Sequence, residues 1–318
     1  MHPSRDRIAV FAALGAAALF GASTPLAKLF VADMSAFMLA GLLYLGSGMG
    51  LAALRLARDR GWHDPKLRRH EWPWLLGAIA FGGIAGPVLL MLGLARTSAS
   101  NASLLLNLEA VMTALLAWMV FKESVSRRVM AGMLLIVIGG LLLSWPGART
   151  DATIGGFGAT LIAVACLCWA IDNNLTRRVS NSDALFIAGV KGMVAAVINI
   201  GLALSAGQAF PPWTVGAPVM AVGFFGYGVS LTLFVVALRG LGAARTAGYF
   251  GCAPFIGAAL AIAIFQEHTS LLFWSAGLFM VAGIWLHLSE RHAHPHWHGD
   301  LFHSHPHFPD VDHRHEHR

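Results

Sequence analysis

The chain has 318 residues, 57% of them hydrophobic and 12% charged, with a formal net charge of +6. Water-soluble domains carry about 25% charged residues, so a water-facing surface is excluded for most of this molecule. The basic residues are distributed as a membrane topology requires, so no nucleic-acid partner is expected.

Apolar blocks long enough to cross a bilayer, which takes about 20 residues, recur along the whole chain. After a short basic N-terminus (1–7), ten are read: Ile8–Phe30, Met34–Ala53, Trp74–Leu94, Ala99–Phe121, Val129–Leu143, Ile154–Leu175, Ala184–Leu204, Val215–Leu238, Gly242–Phe265 and Leu271–Leu288. The predicted fold class is therefore an all-α polytopic membrane protein with ten transmembrane helices and the lipid bilayer as its main partner. MHPSRDR looks like the basic start of a signal peptide, but the block behind it spans about 23 residues and lacks a small-residue cleavage site. It is read as a retained span. With the N-terminus inside, 18 of the 22 Lys and Arg fall on the cytoplasmic side: Arg5, Arg7, six in 55–69, Lys122, Arg127, Arg128, Arg177, Arg178, Arg239, Arg245, Arg291, Arg314 and Arg318. Arg96 and Arg149 fall outside; Lys28 and Lys191 lie within spans. This positive-inside asymmetry puts both termini in the cytoplasm, for a multi-pass protein of the inner (plasma) membrane. Cys166, Cys168 and Cys252 lie in spans, where small apolar packing is expected of them.

The two halves of the chain repeat. A shift of 144 residues lays ASNASLLLNLEAVMTALLAWMVFKES (99–124) on AARTAGYFGCAPFIGAALAIAIFQEH (243–268), with Glu123 on Glu267, Phe121 on Phe265 and Ala114 on Ala258. A shift of 149 lays LFGASTPLAK (19–28) on CWAIDNNLTR (168–177). Five spans per half is an odd number, so the second repeat (152–289) is upside down relative to the first (8–145). Inverted halves characterise secondary transporters.

The motif LLLNLEAVMTALLAWMVFKES, its copy ending in Glu267, and the five-plus-five layout resemble the EamA branch of the drug/metabolite transporter superfamily over residues 8–290. The resemblance implies an inner-membrane carrier of small organic metabolites or drugs, often an exporter. The family's usual proline is replaced here by Ala110, although Pro254 keeps its copy. The usual cause of a helix break is therefore missing from the first half. Glu109 stands where a less polar residue is common.

Polar residues inside spans are the candidate substrate or coupling-ion pathway. A charge at the bilayer centre costs roughly 2.5–3.5 kcal/mol on insertion scales, so it normally faces a partner or a cavity. Glu109 lies near the middle of the fourth span and shares a helical face with Ser98, Ala102 and Thr113, while Asn107 points nearly opposite. It is either a coupling acid or a buried packing group. Asp172 and Lys191 are equidistant from the loop between spans six and seven, so they sit at one depth and can pair across the hairpin. Asn173 and Asn174 are poor helix formers, and their repeat partners are Thr24 and Pro25. The same helix is thus expected to weaken at corresponding places in both halves, as in transporter binding regions. Three readings of this stretch stay open: a substrate or gate site, a structural ion-pair network, or a simple helix end. Glycine-rich FGGIAGP (81–87) and FFGYGVS (224–230) indicate close helix packing or rocking. Tyr227 and Tyr249 are candidate ligand contacts, though packing serves as well. Trp72, Trp74, Trp145 and Trp213 fit an interfacial belt, and Glu123 and Glu267 a helix cap or loop contact.

The segment 290–318 carries ten of the fifteen histidines: His292, His294, His296, His298, His303, His305, His307, His313, His315 and His317. It has no apolar period to build a core, so a disordered cytoplasmic tail is expected. Imidazole ligates zinc, copper and nickel, which makes the tail a candidate site for a divalent metal. No other cofactor is implied. A divalent metal carrier, or a carrier regulated by tail-bound metal, is the alternative function, although the spans lack clustered metal ligands. No nucleophile motif, His-Glu metal pair or phosphate loop is present, so no enzyme is expected.

Overall fold

The computed structural model describes residues 3–60, 64, 67–121, 126–145, 156–179, 183–241, 243–289, 292–298 and 301–307. Among these, nine helices are long and apolar enough to cross a membrane, and a tenth apolar helix, Leu271–Leu286, is shorter by that measure. The chain is a polytopic membrane protein.

The first half runs α1 (Pro3–Lys28), α2 (Ala36–Asp59), α3 (Trp72–Ala78), a π-helical stretch (Ile79–Ala85), α4 (Gly86–Leu94), α5 (Ala99–Leu105), α6 (Leu108–Phe121) and α7 (Arg127–Ser144). The second runs α8 (Phe157–Thr176), α9 (Ala184–Ser205), α10 (Trp213–Gly223), a second π-helical stretch (Phe224–Val229), α11 (Ser230–Leu241), α12 (Ala243–Phe250), α13 (Ala253–Phe265) and α14 (Leu271–Leu288). Helix starts follow the sequence closely. Ser126 accepts from the Val129 amide at the head of α7, and Ser270, which lies 144 residues on, accepts from the Phe273 amide at the head of α14. Each satisfies an amide that the first turn leaves without a helical partner. Trp72, Trp74, Trp145 and Trp213 are exposed at helix ends, as an interfacial belt requires.

Contacts recur five spans apart. α1 packs on α11 and its π stretch, and α8 packs on α4 and its π stretch. α1 also meets α12 and α13, while α8 meets α5 and α6. α2 packs on α9, α7 on α14, and α5 on α13. The interruptions recur too. The π stretches occupy the glycine-rich segments of both halves, and the α5–α6 break at Leu106–Asn107 matches the α12–α13 break at Gly251–Cys252. Two sequence expectations are corrected here. α5 and α6 are separated although no proline follows, because Asn107 turns the chain with its own side chain: its amide nitrogen and its Nδ2 both donate to the Leu104 carbonyl. Conversely, α1 continues through Thr24 and Pro25 to Lys28, and α8 continues through Asn173 and Asn174 to Thr176. Pro25 leaves the Gly21 carbonyl without its helical donor, but that oxygen lies against Gly257, so packing holds the helix together.

Glycines set the crossings. A Cβ on Gly46 would lie 1.9 Å from the Met220 carbonyl oxygen, and one on Gly223 would lie 1.9 Å from the Leu43 carbonyl oxygen. α2 and α10 therefore touch backbone to backbone, the geometry small residues permit in lipid. At one end, Asp183 closes the α2–α9 pair. It accepts from the Leu185 and Phe186 amides at the start of α9 and from Arg55 and Arg58 of α2. Burial raises its pKa, but the bonds from Arg58, the Phe186 amide and Arg55 outweigh that and hold the carboxyl below the usual range. The stabilisation is complete above the ordinary carboxylate value of about 3.9 and is lost as pH falls through the folded one.

Beyond α14, His292–His298 (β1) and Leu301–His307 (β2) pair antiparallel, where the lack of an apolar period implied irregular chain. His alternates with other residues there at period two, the strand period. His292 stands opposite His307, His294 opposite His305, and His296 opposite His303. His313, His315, His317 and Glu123 lie outside the described residues.

Gly46→Ala should lower stability by about 1–3 kcal/mol, the usual cost of overpacking. Gly201→Ala, whose added Cβ meets nothing within 4 Å, should be neutral. Thermal unfolding of both variants in detergent checks this; equal melting temperatures would refute the backbone contact.

Candidate functional site

A cavity of about 510 Å³ lies where the two broken helices face each other. Its wall comes from α1 (Phe20), the α5–α6 break and α6 (Leu106, Asn107, Glu109, Ala110, Thr113, Ala114, Ala117), α8 (Asn173, Asn174) and the α12–α13 break (Ala247, Phe250, Gly251, Ala253, Pro254). Ile136 of α7 and Ile284 of α14 complete it. Residues of both halves thus form one chamber within the size range of small-molecule sites. It lies toward the end where α6 stops and α12 begins. Farther along, α1, α5 and α13 close together: a Cβ on Gly257 would lie 2.6 Å from the Gly21 carbonyl oxygen and 3.0 Å from Ser103 Oγ.

That opposite end is tied by charge. The Glu267 carboxylate, just past α13, accepts from the Ala99 amide at 2.8 Å and the Ser100 amide at 3.0 Å, capping α5 across 168 residues of chain. An anion at a helix N-terminus is favoured both by the free amides and by the helix dipole. Lys28, at the end of α1, donates to the Leu94 carbonyl and, at 2.9 Å, to the Thr97 carbonyl. The expected cap or loop contact of Glu267 is thus a tie between the halves.

Glu109 is in the first turn of α6. The Glu109 amide itself donates to the Leu106 carbonyl at 3.1 Å, so the chain turns into α6 at this residue. Asn173 Nδ2 donates to Glu109 Oε1 at 2.8 Å and lies 3.3 Å from Thr113 Oγ1. Asn174 Nδ2 donates to the Ala170 carbonyl at 2.8 Å and the Thr113 carbonyl at 3.4 Å. α8 is thereby bound to α6 along the cavity wall.

The next residue back on α8 faces elsewhere. Asp172 is buried, pairs with Lys191 of α9 through Oδ2, and accepts from Thr176 Oγ1 at 3.0 Å. It lies against the first π stretch, where a Cβ on Gly82 would sit 1.9 Å from Asp172 Oδ2. The matching contact in the other half is Gly226 against Ser23. The π stretch loosens the regular carbonyl ladder, and side chains from three helices take up the slack. Tyr44 Oη and Trp169 Nε1 donate to the Gly82 carbonyl at 2.8 Å and 3.1 Å, and Asn199 Nδ2 donates to the Gly83 carbonyl at 3.2 Å.

Of the candidate pathway residues, Glu109, Asn173 and Asn174 meet in the cavity wall. Asp172 and Lys191 form their ion pair outside it. Thr24 is buried in α1, and Pro25 continues that helix; neither lines the cavity. Tyr227 packs against the rings of Phe20 and Tyr44 at centroid distances of 6.1 Å and 5.7 Å. Tyr249 is exposed and is not part of the wall. Asn107, expected on the opposite face from Glu109, lines the cavity as well, because the break at 106–107 resets the helical phase. Phe20, Phe250 and Pro254 carried no sequence signal for the cavity; the repeat alignment of the two breaks was the available pointer.

Helices long and apolar enough to cross a membrane, meeting around an internal chamber, fit a multi-pass membrane transporter. The profile of the EamA-like transporter family matches residues 7–145 and 156–289. The chain belongs to this family. It is 27% identical over 284 residues to an uncharacterised transporter of Methanothermobacter thermautotrophicus, covering 84% of this chain and 82% of that one. It is 40% identical over 115 residues to a probable 4-amino-4-deoxy-L-arabinose-phosphoundecaprenol flippase subunit, ArnE, of Pseudomonas paraeruginosa, covering 34% of this chain and 95% of that subunit. A solved crystal structure of 19% identity superposes with a TM-score of 0.64 over 90% of this chain and 96% of its own, a likeness of fold.

Removing one partner of a buried ion pair costs about 3–5 kcal/mol. Lys191→Met should lose that much stability, and Asp172→Asn/Lys191→Met should recover most of it. Thermal unfolding of the single and double variants is the measurement; a harmless single variant would show that the pair carries no structural load.

Proposed function

We propose that this protein is a secondary carrier of small organic molecules in the plasma membrane, working by alternating access between two inverted five-span halves, with both termini cytoplasmic. The observation that carries the reading is a chamber shared by both halves, lined at one end of the molecule and closed at the other. Paired π stretches, paired helix breaks and contacts that recur five spans apart support inverted halves. Such halves exchange inward-open and outward-open arrangements by rocking. The chamber lies toward the ends of α6 and α12, the cytoplasmic side in the positive-inside reading, with the tie of Lys28 and Glu267 on the far side. Export is the direction we favour, in line with the flippase subunit among the relatives.

A divalent metal carrier has less support: among the described residues no three His, Cys, Asp or Glu group as metal ligands. For the tail, we propose zinc, nickel or copper binding outside the transport path, since the strand register sets three His pairs opposite one another. Deleting residues 291–318 should then alter metal tolerance of the host without abolishing transport; unchanged tolerance refutes it.

The carrier reading is tested by counterflow in proteoliposomes against a panel of labelled amino acids, amines, sugars and drugs. At least one solute should accumulate, and Glu109→Gln should cut its rate about tenfold or more, the loss expected for one charge-assisted contact. No counterflow of any solute would overturn it. Glu267→Gln should raise labelling of Thr97→Cys by an impermeant maleimide several-fold; unaltered labelling would show that this end is not a gate.

A further inference from the structure

The polar side-chain atoms that the cavity wall leaves to a ligand are mostly acceptors. Asn173 Nδ2 is committed to Glu109, and Asn174 Nδ2 to the carbonyls of Ala170 and Thr113. Asn107 Nδ2 is committed to the Leu104 carbonyl at 2.9 Å. A carboxylate and carbonyls can only accept, so the orientation of all three amides follows from their partners. With the nitrogens used, the wall offers a ligand the Glu109 carboxylate and three amide oxygens. These all accept, and the Thr113 hydroxyl, which accepts from Asn173 Nδ2, adds one side-chain donor among the described residues of the wall.

Among the described residues, no Lys, Arg or His is in the wall. The charge of Lys191 is taken up by Asp172, on the other side of α8. Among the described residues, no cation of the wall therefore pairs with Glu109. The rest of the surface is apolar, and the rings of Phe20 and Phe250 lie 5.3 Å apart as its aromatic part. An anionic solute would meet the Glu109 carboxylate and the amide oxygens, with the Thr113 hydroxyl as its one side-chain donor among the described residues. A neutral alcohol would satisfy one of them, and a quaternary ammonium would bring charge but no N–H.

We infer that the ligand is a small amphipathic amine, held as an ammonium ion whose N–H groups bond Glu109 and the amide oxygens while its apolar body rests on Phe20 and Phe250. Three N–H donors on a compact cation match a carboxylate set among amide oxygens, and an aromatic face also favours a cation over an anion. The inference rests on the carrier reading for passage across the membrane, but binding is measurable without it.

The test is equilibrium binding to the full chain in lipid nanodiscs with three probes: 2-phenylethylamine, its N,N,N-trimethyl analogue and 2-phenylethanol. The amine should bind about tenfold or more tightly than either analogue, the margin of one charge-assisted hydrogen bond. Glu109→Gln should reduce the amine to the level of the alcohol, and Glu109→Asp should keep part of the preference. Because a variant can fail to fold, wild-type protein is also treated with dicyclohexylcarbodiimide, which labels carboxyls in apolar surroundings. The amine should slow labelling of Glu109, read by peptide mass spectrometry, and the alcohol should not. Equal binding of amine and alcohol, or labelling of Glu109 unaffected by the amine, overturns the inference. Amine binding without counterflow would sustain it and remove the carrier reading. Counterflow of other solutes without amine binding would do the reverse.

Discussion

In hydrocarbon no water waits to satisfy a backbone group that loses its helical partner. This constraint organises the molecule, because four of its spans are interrupted. The interruption at Gly82 and Gly83 is answered by Tyr44, Trp169 and Asn199, reaching in from three other helices. The interruption at Leu106–Asn107 is answered locally, by the Asn107 side chain. Each answer also fixes something else. The first set seats α2, α8 and α9 on one π stretch, and the second brings an acid to the head of a new helix at the edge of the chamber.

The two acids nearest the chamber have opposite circumstances, though they are neighbours in space through consecutive residues of α8. Successive residues on a helix point about 100° apart. Asp172 therefore turns toward Lys191 and Gly82, while Asn173 turns toward Glu109. The paired acid is a strut: buried attraction is largely offset by desolvation, so its value is in holding α8 and α9 in one register. The unpaired acid is left for the chamber. A protein that pairs one carboxylate and leaves its neighbour open has separated structure from chemistry within one helical turn.

The ends of the bundle differ in the same physical terms. At one end, α1, α5 and α13 meet through glycine and serine, and Glu267 and Lys28 tie helix termini by charge-assisted bonds. At the other, α6 and α12 stand on either side of the chamber.

The sequence by itself determined the helical membrane architecture, the placement of the apolar blocks to within a few residues, and the depth match between Asp172 and Lys191. Hydrophobic length and hairpin arithmetic depend only on spacing, and spacing is written in the chain. Only the tertiary structure decided which polar residues share a chamber. Asn107 was assigned the wrong face because a helical wheel assumes an unbroken helix, and the break at Leu106–Asn107 needs no proline. Pro25 was expected to weaken α1, yet the helix runs on through it to Lys28, with the Gly21 carbonyl packed against Gly257. Glu109 could be seen as deep, but not as unpaired: whether a buried acid has a partner depends on what the other helices bring, and that is decided by packing between residues tens or hundreds apart in the chain.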